Sequence, residues 1–375
     1  LDYIYPEMNK LCKDDDELKQ KCAEITKELQ DGNTLYYTYF KKIREISAAD
    51  IKKNYAFLSV NFDLWQGESD AYQYLEVVEG ILEKNHLLTS SDGALVVEVA
   101  KDDDRKPLPP LVFKKSNGAY LYASTDLATI YERVTKYNPN HILYVVDNRQ
   151  DLHFEQVFRT VHKAGICDKE KLEFLGYGTV NGSDGRPYKT RNGDTPKLEN
   201  LFKQAKEIFI SKKETNKDMS EDDIDKIVNA ILKFADLENA RERDYIFDLT
   251  KFSDVVGKTG PYILYTYLRI NKMIINSNIN NLTDIIYNDV DRDLRFKIIN
   301  LSYALNNAFE ERKPNHIADY LYELCVLANV FYQNNHLNNL SDEIKKNDWI
   351  YVLTLTNKII KQLLNLLVID IPTIM

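Results

Sequence analysis

Through the middle of the chain the apolar positions switch between two periods, and the switches mark the elements. Leu127, Ile130, Tyr131 and Val134 recur at helical spacing behind Ser124 and Thr125, either of which can cap a helix. Pro139 closes that stretch. His141–Val146 is a continuous apolar run, the pattern of a strand buried on both faces of a parallel sheet. Asp151 opens a further helix with Phe154, Val157, Phe158 and Val161 on one face, and Gly165 ends it. Leu172–Tyr177 reads as the next strand. Ala119–Tyr122, after Asn117-Gly118, reads as a short earlier one. This alternation predicts the rear half of a doubly wound α/β domain.

The flanks differ. On the N-terminal side, Asp14-Asp15-Asp16-Glu17 starts a charged helix with Leu18, Cys22 and Ile25 on one face. Ser59–Trp65 alternates like a strand. The Ser91-Asp92-Gly93 turn leads into another at Ala94–Val99, and Lys106–Pro110 is an extended connection. On the C-terminal side almost everything is helical. The Lys- and Glu-rich stretch 211–223 is a loop, and Ser220 caps a helix carrying Ile224, Ile227, Val228 and Ile231. Amphipathic segments at 261–280, 291–310, 315–334 and 349–368 predict a bundle. The fold class is therefore α/β plus all-α: a partial doubly wound, Rossmann-like domain followed by a helical bundle. The expected divisions are 1–118, a helical segment and connective insertion, 119–250, the rear half of the α/β domain, and 251–375, the bundle.

Composition narrows the function only a little. The net charge is −9, from 49 basic and 58 acidic residues, so bulk charge does not advertise nucleic-acid binding and any RNA contact must be local. No apolar run approaches the ~20 residues of a membrane span. Cys12, Cys22, Cys167 and Cys325 are far apart in sequence and form no C-x-x-C pair. That argues against a zinc site or a disulfide framework and fits a reducing compartment.

Ligands of open parallel sheets bind outside the carboxyl ends of the strands. Tyr122 ends one predicted strand, Asp126 falls in the first turn of the helix after it, and Gln150 follows the neighbouring strand. A carboxylate at a helix N-terminus stays ionised and can take a guanidinium in a bidentate pair. Equally, Asp126 can be a helix-cap residue and Gln150 a surface turn. Tyr262 and Tyr265 share one helix face, where exposed rings can stack single-stranded bases or simply pack in a core.

Taken in order, Gly67-Glu68-Ser69, Tyr122-Ala123-Ser124-Thr125-Asp126, Gln150-Asp151-Leu152-His153 and Thr259-Gly260-Pro261-Tyr262 resemble arginyl-tRNA synthetase. The resemblance covers nearly the whole chain. It implies ATP-dependent attachment of arginine to its tRNA, with ATP and Mg²⁺ as substrate and no tightly bound cofactor or resident metal. It implies that Glu68, Tyr122, Asp126 and Gln150 line the arginine pocket, and that His153 borders ATP. Gly185–Asp194 is similar to the second class I signature loop in a degenerate form, which makes Lys189 and Arg191 phosphate contacts. Residues 251–375 would be the anticodon-binding domain, with Tyr262, Tyr265, Tyr332 and the terminal Met375 near the anticodon. The implied setting is cytoplasmic, without membrane or DNA partners. The first class I signature, His-x-Gly-His, is absent: the histidines are His86, His141, His153, His162, His316 and His336. With Leu1 at the start, the chain is expected to be a fragment lacking the front of the catalytic domain, inactive alone. The alternative is a noncatalytic tRNA-binding or scaffold protein derived from a synthetase.

Overall fold

A computed structural model of the 375-residue chain describes residues 4–30, 32–182, 185–186, 198–212, 219–275, 277, 282–337 and 340–375. The chain divides into two compact units. The first takes in residues up to 48 and 62–178, and the second takes in 49–61 and the described residues from 179 onward.

Three helices come first, α1 (Ile4–Asp14), α2 (Asp16–Gln30) and α3 (Thr34–Phe57), and none buries a residue. Although distant in sequence, Cys12 and Cys22 meet across α1 and α2 with their Sγ atoms 3.8 Å apart, both as free thiols. The strand expected at Ser59–Trp65 does not form. A strand needs a partner for its N–H and C=O groups, and Phe62, Leu64 and Trp65 instead lie exposed. A 3-10 turn at Glu68–Tyr74 leads into α4 (Leu75–Lys84), which buries Leu75, Val78 and Leu82. An antiparallel sheet follows, β1 (Leu88–Ser91), β2 (Ala94–Val97) and β3 (Leu111–Lys114), in that order.

The Ala119–Tyr122 strand shrinks to a single bridge between Tyr120 and Lys114. Helix α5 (Tyr122–Tyr137) starts earlier than its Ser and Thr suggested. Leu121 occupies the N-cap, and the Ser124 hydroxyl reaches back to the Leu121 N–H at 3.3 Å. Ser124 thus serves from inside the first turn. Asp126 consequently lies in the second turn, beyond the reach of the helix N-terminus.

Strand β4 (Ile142–Asp147), helix α6 (Asp151–Lys163) and strand β5 (Leu172–Tyr177) form the expected unit. β4 and β5 pair in parallel from Ile142↔Leu172 to Asp147↔Tyr177. Ile142 and Tyr144 are buried, whereas Leu143 and Val145 are 46% and 61% exposed. β4 therefore packs on one face, not both: the core joins Ile142 and Tyr144 to Leu127 and Ile130 of α5 and to Phe154, Phe158 and Val161 of α6.

In the second unit, β6 (Val180–Asn181) precedes α7 (Leu198–Ser211) and α8 (Glu221–Leu237), and pairs in parallel with β7 (Tyr245–Ile246). Ser220 caps α8 as expected, accepting the Asp223 N–H at 3.1 Å. After the short α9 (Leu249–Phe252) come α10 (Gly260–Ile274), α11 (Asp289–Ile299), α12 (Leu301–Glu311), α13 (Asn315–Asn334) and α14 (Glu343–Leu366). The segment expected as one helix over 291–310 is two, broken at Asn300, whose side-chain amide donates to Phe296 O at 3.0 Å. One core runs through this bundle, including Ile231 and Phe234 of α8, Ile263 and Leu264 of α10, Leu321 and Phe331 of α13, and Leu353 and Ile360 of α14. No helix among the described residues is long and apolar enough to cross a membrane.

Candidate functional site

The first unit contains a cleft of about 610 Å³, and Glu68, Tyr122, Asp126, Gln150 and His153 all line it. Each arrives from a different local cause. Asp126 projects from α5 beside the apolar stripe that packs on the sheet. Tyr122, rather than ending a strand, is the first residue of α5 and is 72% exposed. Gln150 ends the 3-10 turn Asn148–Gln150 and stands at the N-cap of α6, a turn that Asp147 fixes by accepting the Arg149 N–H at 2.8 Å. His153 lies in the first turn of α6, its Nε2 2.6 Å from Asp126 Oδ2.

Glu68 stands at the head of the turn opposite α5, and Thr125 Oγ1 donates to its Oε1 at 2.9 Å. The segment around it is pinned on both sides. Gln66 Nε2 donates to Glu132 Oε1 at 3.2 Å. Beyond Glu68, Asp70 accepts the Gly67 N–H at 2.8 Å and takes both arms of the Arg44 guanidinium, one of them at 2.7 Å. The Arg44 hydrogen bonds hold the Asp70 carboxyl below its ordinary range. On the sheet side, burial pushes the Tyr144 phenol up to about 12, and Arg133 lies 5.2 Å from its ring centre. Acidic groups at separate points of one cleft suit a cation with several N–H donors, and a planar guanidinium can meet a carboxylate bidentately where an ammonium acts as a point charge.

In the second unit, Thr259-Gly260-Pro261 has a clear local meaning. Thr259 caps α10 by accepting the Tyr262 N–H at 3.3 Å. Gly260 sits where an added Cβ would stand 2.3 Å from the Ala230 carbonyl oxygen of α8. Tyr262 is half-buried, its ring 5.6 Å from Tyr322 and its hydroxyl accepting from Asn329 Nδ2 at 3.1 Å. Arg269 approaches Asn329 Oδ1 at 3.4 Å and covers the Tyr332 ring at 3.8 Å. Tyr262 and Tyr332 are therefore tied through one polar network between α10 and α13. Tyr265 is 44% exposed, and Met375 is half-buried against the bundle core.

Residues 1–249 match the family described as tRNA synthetases class I (R), catalytic domain. The chain belongs to that family. Residues 263–375 of this class I synthetase chain match the DALR anticodon binding domain. An arginine–tRNA ligase of Alkaliphilus oremlandii is 40% identical over 382 residues, covering 99% of this chain and 65% of that protein. One of Agathobacter rectalis is 37% identical over 391 residues, covering 99% of this chain and 66% of the other. The chain thus spans 65% and 66% of the length of these two relatives. Among solved structures, the arginyl-tRNA synthetase of Plasmodium falciparum superposes with a TM-score of 0.79 at 26% identity, covering 96% of this chain and 62% of that one.

Two expected synthetase residues, Lys189 and Arg191, lie outside the described residues. Others in the cleft went unnoticed in the sequence. Glu132 lines it and is only 4% exposed, and Thr125, Thr129 and Arg133 also face it. The signal that could have found them is a second stripe on α5: Thr125, Thr129 and Glu132 repeat at helical spacing beside the apolar one.

Proposed function

We propose that this chain is the part of an arginine–tRNA ligase that recognises the amino acid and the anticodon. The observation that carries it is the meeting of Glu68 and Asp126, from separate segments, on one cleft of about 610 Å³. Family membership and the names of the relatives support the same assignment. The guanidinium of L-arginine enters between the two carboxylates, with the Gln150 amide and the Tyr122 ring beside it. His153 lies toward ATP, and Lys189 and Arg191 contact its phosphates. The arginine carboxylate attacks the α-phosphate of ATP, which enters with Mg²⁺, and pyrophosphate leaves. A terminal ribose hydroxyl of the tRNA then takes the arginyl group from the adenylate. The chain's residues contribute positioning and electrostatic stabilisation. The bundle from 251 onward holds the anticodon, with Tyr265 as the exposed ring and Tyr262, Tyr332 and Met375 around it.

The test is charging: radiolabelled arginine should be transferred to arginine-accepting tRNA by the protein that carries this chain, and the other amino acids should not. Charging with a different amino acid, or none with arginine, would sink the assignment.

A further inference from the structure

Glu132 is the least expected residue of the cleft. Its side chain is 5% exposed, and burying an ionised carboxylate is costly unless its partners compensate. Lys136 Nζ reaches Oε1 at 3.4 Å, but that lysine is 53% exposed, and such pairs add little. The partner that explains the position is Gln66, whose Nε2 donates to the same oxygen at 3.2 Å. Gln66 is two residues before Glu68, and Glu68 in turn accepts from Thr125. Both holds on this segment therefore come from α5, the helix that also carries Asp126. Arg44 fixes the far side through Asp70. Glu68, through Thr125, and Asp126, directly, are in this way tied to the same helix.

We propose that Glu132 is a positioning residue for guanidinium recognition: by holding Gln66 it fixes the segment that presents Glu68 opposite Asp126. This rests on the arginine assignment of the cleft. Glu132 acts through Gln66, not by touching the ligand, so its charge is not required, only an acceptor oxygen at that place.

The experiment measures L-arginine affinity by calorimetry for wild type, Gln66→Ala, Glu132→Ala, Glu132→Gln and the Gln66→Ala/Glu132→Ala pair. Hydrogen exchange at residues 66–70 without ligand is followed in parallel. Gln66 is exposed, so its alanine variant folds even if Glu132→Ala does not. The expected result is a roughly ten- to hundredfold weaker arginine affinity for each alanine variant, the scale of a misplaced positioning group. The pair should be no worse than the weaker single variant. Glu132→Gln, whose amide oxygen still accepts from Gln66, should restore most of the affinity, and exchange at 66–70 should rise only in the alanine variants. Unchanged affinity and exchange in Gln66→Ala, additive losses, or a Glu132→Gln variant as weak as alanine would each overturn the proposal. If wild type fails to bind arginine, the assignment of the cleft falls, while the exchange data still judge the clamp.

Discussion

Replacing Asp126 by asparagine separates what its carboxylate does for the fold from what it does for a ligand. In the structure Oδ2 lies 2.6 Å from His153 Nε2, with the two side chains 31% and 29% exposed. Water reaches both, so the contact contributes at most about 1 kcal/mol to folding. Asparagine keeps the volume and an oxygen that can still meet His153. The melting temperature should therefore hardly move. A guanidinium held between Glu68 and Asp126 is different, because a ligand that fills the cleft displaces water from the charges. Losing one charged partner there costs on the order of 2–5 kcal/mol. At tenfold per 1.4 kcal/mol, that is about thirtyfold or more in dissociation constant. Calorimetric titration of wild type and Asp126→Asn with L-arginine reads this directly, with ATP as the control ligand. An arginine affinity within about threefold of wild type, where 1.4 kcal/mol would give tenfold, would remove Asp126 from the pocket. A parallel fall in ATP affinity would mean that the substitution acts through His153 instead.

Gly260→Ala should lower the unfolding free energy by roughly 1–3 kcal/mol, because the new methyl meets the Ala230 backbone at 2.3 Å and α10 must shift off α8; an unchanged urea melt would contradict that packing. Tyr262→Ala should cost roughly 1–3 kcal/mol of stability through its lost contacts with Tyr322 and Asn329. Tyr265→Ala should stay within about 0.5 kcal/mol of wild-type stability yet weaken binding of an anticodon stem-loop by about 1–3 kcal/mol; urea melts and fluorescence anisotropy on the two variants decide, and full RNA affinity in Tyr265→Ala would rule out stacking there. The Asp104 carboxyl, held by Arg159, titrates at about 2 in the folded chain, below the ~3.9 of an unfolded aspartate. Its contribution is complete above the unfolded value and is lost as pH falls toward the folded one, so Arg159→Gln should flatten the stability loss between about pH 4 and pH 2; melts of equal slope in wild type and variant over that window would refute it.

How much of this was legible depended on whether a local pattern was also a burial pattern. Helix α6 was, because one period decides which side chains meet the core: Phe154, Val157, Phe158 and Val161 are all buried. The start of α5 was not. Ser124 and Thr125 look like caps, but the cap is Leu121, and Ser124 works from within the helix. That shift moved Asp126 into the second turn and replaced a helix-end argument with a direct contact to His153. For β4, an apolar run cannot say how many faces are covered, and Leu143 and Val145 stand exposed. The strand at Ser59–Trp65 failed because alternation is only half of a strand, and its partner is not in the sequence pattern. Glu68 was reached through the ordered motifs alone, and Asp126 first through its place after a predicted strand end. Glu132 was missed because an acidic residue on an amphipathic helix ordinarily faces water, and only the fold turns it toward Gln66.

Selection of a guanidinium by Glu68 and Asp126 is decided by a three-ligand titration. L-Arginine, L-citrulline and L-lysine are titrated against the chain under one buffer condition. Citrulline keeps the shape without the charge, and lysine keeps the charge without the planar fork. Arginine should bind saturably, with citrulline and lysine weaker by at least ~100-fold, since a site built on polar partners rejects the analogue that leaves them unpaired. Citrulline or lysine binding as tightly as arginine, or no saturable arginine binding at all, would contradict it.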